Sequence, residues 1–131
     1  MTLTHTLTPS TVFLRRALLA DAILSGATGL MMIAGAHALG DLLALPAILL
    51  RAAGMLLVPY VAFVLFVATR EVIARPAVAA IIAINLVWAA ASIGLLFTGW
   101  VAPNVLGHVF VAGQAVIVAA LGELQYVALR R

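Results

Sequence analysis

Apolar residues fill this chain in four long runs, and the polar positions between them fall where a chain must turn. From Ala22 to Gly40 no residue carries a formal charge, which matches the roughly 20 residues needed to cross about 30 Å of hydrocarbon. Gly40-Asp41 closes that run. Pro46 restarts the chain at a first-turn position, and a second helix is expected to about Arg70, with Pro59 inside it as a kink. After Arg70-Glu71 and Arg75, Pro76 opens a third helix. The uncharged stretch from Pro76 to Gly122 is too long for one crossing, and Thr98-Gly-Trp100-Val-Ala-Pro103-Asn104 supplies the turn that splits it. The pattern predicts an all-α membrane protein, a four-transmembrane-helix bundle of two hairpins. Its helices are expected at about 11–38, 46–70, 76–98 and 103–129, in a single domain over 11–131. Residues 1–10 are Thr-rich and without periodicity, so a flexible tail is expected there.

Composition narrows the class. With 66% hydrophobic and 8% charged residues, the chain lacks the charged quarter, roughly, that clothes a water-soluble domain. All seven basic residues are Arg, and beside the Ala, Leu, Val and Gly excess this points to a GC-rich bacterial genome. No cysteine is present, which excludes disulfide redox catalysis and thiolate metal sites. The net charge of +3 is dispersed at membrane edges rather than gathered in a basic patch, so no nucleic-acid partner is expected. Arg15, Arg16, Arg70, Arg75, Arg130 and Arg131 fall on one side of the four crossings and only Arg51 towards the other. The side rich in arginine is then cytoplasmic, with both termini inside a bacterial plasma (inner) membrane.

Candidate chemistry lies inside the apolar runs. Asp21, Ser25, Thr28, Met32 and Gly35 share one face of the first helix at about 100° per residue, and that face needs protein beside it. Counted from the Arg anchors, Asp21, Tyr60, Asn85 and Glu123 lie roughly 8 to 15 Å deep, one polar residue per helix. Two readings of this layer stand open. In one, Asp21 and Glu123 share a proton or bind a cation; in the other, Asp21 bonds Asn85 while Glu123 snorkels to an arginine, pinning the helix register. Gln114 lies on the face of its helix opposite Glu123 and is the candidate for contact with another subunit. A second polar cluster is expected at the outer edge: His37, Asp41, Arg51, Asn104 and His108. Two histidines there are weak grounds for a haem or metal, and no cofactor or metal is assigned.

A 64-residue shift lays Asp21 on Asn85 and Gly35 on Gly99, while a 60-residue shift lays Val67-Ala-Thr-Arg70 on Val127-Ala-Leu-Arg130. Such a pattern suggests two hairpins related about the membrane normal. The segments Leu19-Ala-Asp21-Ala-Ile-Leu-Ser25-Gly-Ala-Thr-Gly29, Gly99-Trp-Val-Ala-Pro103 and Ala120-Leu-Gly-Glu123-Leu-Gln-Tyr126, with terminal Arg130-Arg131, resemble small bacterial four-helix integral membrane proteins. In size and hairpin layout that group is similar to the DoxX-like proteins, and the resemblance brings no activity with it. Small multidrug transporters also carry a carboxylate in helix one, but their Trp and Gly pattern around helix three is absent. The expected function is therefore a non-enzymatic accessory, assembly or homo-oligomeric membrane component, with the lipid bilayer, a second copy or a larger membrane complex as partners. The alternatives are a proton- or cation-coupled transporter or channel using Asp21 and Glu123, and a lipid-, quinone- or haem-binding subunit. No nucleophile, base and oxyanion arrangement is evident.

Overall fold

The computed structural model describes residues 9–130, with side chains from Thr11. The tail expected at 1–10 lies outside the described residues except for Pro9 and Ser10, which open the first helix; Arg131 also lies outside. Five helices follow in order: α1 (Pro9–Ala34), α2 (Ala36–Leu43), α3 (Ala47–Ala68), α4 (Arg75–Phe97) and α5 (Val105–Arg130). Four of them, all but α2, are long and apolar enough to cross a membrane. Their outer faces carry large apolar side chains such as Leu30, Ile48, Val87 and Val116, far more exposed apolar surface than a water-soluble monomer presents.

The first run differs from its expected form, a single helix at 11–38. It breaks at Gly35, and the short α2 carries the chain on to Leu43. Hydrogen bonding continues through the break, with Gly35 N–H donating to the Met31 carbonyl and Leu39 N–H to that of Gly35, both at 2.8 Å. α2 ends on Ala44, whose φ of 57° lies in the left-handed region, and Pro46 then precedes α3 in extended geometry. α3 runs through Pro59 without interruption, although proline removes one helical donor.

α1 lies along α3 and α4 along α5, while α1 also meets α5; α3 and α4, though consecutive, approach each other only briefly. The α1–α3 crossing is close because glycines face each other there. A Cβ on Gly54 would stand 2.9 Å from the Gly29 carbonyl oxygen and 2.9 Å from Ile33. Two apolar clusters fill the interior. One, at the end where Arg15, Arg70 and Arg75 gather, contains Leu18, Val64, Val78 and Ile81; the other, nearer α2, contains Met32, Leu43, Leu50 and Val111. Tyr60 packs against both.

The arginine end is stitched as well as charged. The Arg15 guanidinium donates to the carbonyl of Ala68, the last residue of α3, and to those of Arg70 and Glu71 just past it, the latter two at 2.9 and 3.4 Å. Arg75 reaches the Leu129 carbonyl near the end of α5. Both place a cation where a helix leaves carbonyls without helical donors.

Candidate functional site

Between the two apolar clusters lies a polar layer to which all four long helices contribute. α1 supplies Asp21, fully buried at 0% exposure, α4 supplies Asn85 at 3%, and α5 supplies Gln125 at 0%. Tyr60 enters from α3. One carboxylate oxygen of Asp21, Oδ2, receives the Tyr60 hydroxyl at 2.5 Å, Asn85 Nδ2 at 3.1 Å and Gln125 Nε2 at 2.8 Å. Oδ1 receives Ser25 Oγ, one turn along α1, at 2.9 Å. Asn85 Nδ2 also donates to Gln125 Oε1 at 2.9 Å, and the Tyr60 hydroxyl lies 2.8 Å from Asn85 Oδ1. Every donor to the carboxyl is a neutral side chain, so the layer resembles a solvation shell assembled from the protein. Among the described residues no buried side-chain nitrogen or oxygen lacks a hydrogen-bond partner.

Asp21, Tyr60 and Asn85 are thus brought together. Asp21 and Asn85, the residues that the 64-residue shift superimposes, meet across a diagonal on which α1 and α4 make no close backbone approach. Glu123 is placed elsewhere: its side chain is exposed, and α5 reaches Asp21 through Gln125 instead. Two residues along a helix rotate a side chain by about 200°, so Glu123 and Gln125 face nearly opposite ways. A signal for Gln125 existed in the sequence. The buried stripe of α5 includes Gly122, Gln125 and Ala128, small residues at helical spacing with the glutamine between them.

A turn or so away, Trp88 Nε1 donates to Gln114 Oε1 at 3.0 Å, and Gln114 Nε2 donates to the Val111 carbonyl at 2.9 Å. The Gln114 amide is engaged within the chain at both ends. Of the outer-edge residues, Asn104 ties two elements. Its Nδ2 donates to the Leu42 carbonyl at 2.8 Å, and its Oδ1 caps α5 by accepting Gly107 N–H at 2.8 Å. His108 Nδ1 lies 3.0 Å from the Asn104 carbonyl. His37 and Asp41 are exposed on α2 and Arg51 is half-buried in α3. Among the described residues no group of three or more His, Cys, Asp or Glu side chains is placed to hold a metal ion.

Where α3 and α4 diverge, a cleft of about 420 Å³ opens sideways, lined on α3 by Leu56, Leu57, Pro59, Tyr60 and Phe63 and on α4 by Ile84, Asn85 and Trp88. Ser25 and Val118 close its inner side. Its size lies in the range of small-molecule sites, about 300–1,000 Å³, and its walls are apolar with few polar groups, as in such sites. The α3 lining covers seven residue steps, about 10 Å of helix. That is a pocket at mid-helix, too short for the full-length groove that a partner helix would occupy. Behind it, a smaller void of about 90 Å³ shares Ser25, Leu57, Trp88 and Val118.

Comparison with known proteins returned no matching family model, no matching curated protein and no matching solved structure.

Proposed function

We propose that this protein is a non-enzymatic component of a bacterial inner membrane that holds a small lipid-soluble molecule in the cleft between α3 and α4. The observation that carries this reading is the cleft itself, a mid-helix pocket of about 420 Å³ whose apolar walls converge on Tyr60 and Asn85. A ligand enters from the acyl-chain region through the gap between the two helices, without crossing the headgroups. The Asp21 layer then has a mechanical role. It fixes the rotation of all four helices about one buried point, which holds the cleft open against collapse of α3 onto α4. In this reading the chain is a four-helix bundle of two hairpins with both termini cytoplasmic, supported by the six of seven arginines that the sequence order assigns to one side of the four crossings.

The test is native mass spectrometry of the protein extracted gently from its own membrane, beside Val118→Phe. Val118 is half-buried and borders both the cleft and the smaller void, so a larger ring has space to grow into. A discrete small-molecule adduct on the native chain, lost in the variant, supports the reading. A chain free of adducts, or an adduct indifferent to Val118→Phe, refutes it.

A further inference from the structure

The face of α5 that turns away from the bundle carries a regular pattern. Val109, Gly113, Val116, Ala120, Glu123 and Val127 are all exposed and follow one another at alternating steps of four and three residues. Such spacing keeps side chains in one line along a helix. The line lies roughly opposite the buried stripe of Gly122, Gln125 and Ala128. From Val109 to Val127 it covers about 27 Å, nearly the whole hydrocarbon thickness of about 30 Å. Unlike the cleft, it is long enough for a partner helix.

Two residues in this line have no purpose within the chain. Of the four acids in the sequence, only Glu123 is exposed inside a spanning helix. Asp21 is buried, while Asp41 on α2 and Glu71 after α3 lie outside the spans. Glu123 stands about 10 Å along the axis from Arg130, and among the described residues no group bonds it. An acid set against acyl chains is costly, since the lipid tails offer it no partner. Gly113 is the second. A Cβ there would meet nothing within 4 Å, so no contact inside the chain calls for a glycine, although glycine weakens a helix from within. The room it leaves lies outside.

We infer that a second copy of this chain packs along this line, α5 against α5 in parallel. Two copies inserted the same way are related by a two-fold axis along the membrane normal, so each residue of the line meets its own counterpart. Gly113, Ala120 and Val127 form one row, whose two small members let the backbones approach. Val109, Val116 and Glu123 form the other. β-Branched residues in such a row favour two strands, and a single polar residue among them fixes the register. The copy also answers the acid. It brings a second Glu123 to the same depth, where the O–H of one carboxyl donates to an oxygen of the other and no cation from another protein is needed. The cleft opens between α3 and α4, away from this face, so pairing and ligand binding stand or fall separately.

The experiment measures energy transfer between full-length chains carrying donor or acceptor dye at Trp100→Cys, in phosphatidylethanolamine–phosphatidylglycerol vesicles diluted stepwise with lipid. The chain pairs at low dilution. Gly113→Leu and Glu123→Leu each weaken pairing about tenfold. Glu123→Gln, whose amides can still bond each other, keeps it within about threefold. Gly94→Leu, at another glycine with open space around its Cβ, leaves pairing unchanged. A disulfide gives an independent readout: oxidation joins copies carrying Ala120→Cys and spares those carrying Val87→Cys, exposed on α4.

Far-ultraviolet circular dichroism checks that each variant keeps its helices; should one lose them, the disulfide pattern decides. No energy transfer at any dilution, or pairing untouched by Gly113→Leu and Glu123→Leu, overturns the inference. So does a disulfide that forms as readily at Val87→Cys as at Ala120→Cys, or a chain that stays single until a different membrane protein is added. A loss in Glu123→Gln as large as in Glu123→Leu overturns the contact between the two acids.

Discussion

Replacing Asp21 tests the reasoning about the polar layer most directly, because the two obvious substitutions are expected to differ. Asp21→Ala removes an acceptor that four groups share, but the loss is smaller than four bonds. Tyr60 retains Asn85 Oδ1 as its acceptor, and one Asn85 N–H retains Gln125 Oε1. The Ser25 hydroxyl can turn to a carbonyl of its own helix. Two N–H groups, one from Asn85 and one from Gln125, are left without partners. At about 0.6–1.7 kcal/mol for each intramembrane hydrogen bond, the packed state loses about 1–3 kcal/mol. Asp21→Asn behaves otherwise. Its side-chain oxygen at the Oδ2 position keeps Tyr60, Asn85 and Gln125, and its amide faces Ser25 Oγ, which can accept. The cost should stay below about 1 kcal/mol. Detergent-driven unfolding in mixed micelles, followed by far-ultraviolet circular dichroism, measures both. The double variant Asp21→Ala with Gln125→Leu removes an orphaned amide together with its acceptor and should recover about 1 kcal/mol relative to additivity. Equal costs for Asn and Ala at position 21, or strict additivity in the double variant, would refute the picture of one acceptor serving three helices.

Gly54→Ala should destabilise by about 1–3 kcal/mol through overpacking at the α1–α3 crossing, because its Cβ meets the Gly29 carbonyl at 2.9 Å. Gly94→Ala, where an added Cβ has no neighbour within 4 Å, should be neutral or stabilising by up to about 1 kcal/mol; the same unfolding assay ranks the two, and the reverse order would contradict the packing. Since the native chain has no cysteine, single Cys variants report orientation cleanly. Trp100→Cys should react with a membrane-impermeant thiol reagent in intact cells, and Glu71→Cys only after permeabilisation. The opposite pattern would overturn the assignment from the arginines.

The sequence by itself determined that four helices are long and apolar enough to cross a membrane, and where the second and third turns fall; the first turn, expected at Gly40-Asp41, lies instead at Ala44 to Pro46, because those two residues continue a helix to Leu43. Uncharged runs of bilayer length and prolines at helix starts are local properties, and they act before any helix meets another. The hinge at Gly35 was less legible, since one glycine in an apolar run signals flexibility without saying whether a second helix follows. That the buried acid of α1 would need partners was also readable, because an isolated carboxyl among apolar residues is costly wherever it lies. Which residues answer it was decided only by tertiary structure. Depth along a helix follows from counting residues, and counting places Glu123 and Gln125 at nearly the same level. Rotation about the helix axis depends on how neighbours pack, and α5 turns its small-residue stripe of Gly122, Gln125 and Ala128 inward, carrying Gln125 to Asp21 and leaving Glu123 exposed. The cleft has the same origin. It exists because α3 packs on α1 and α4 on α5, and these pairings, formed by helices separately apolar on all sides, leave α3 and α4 apart.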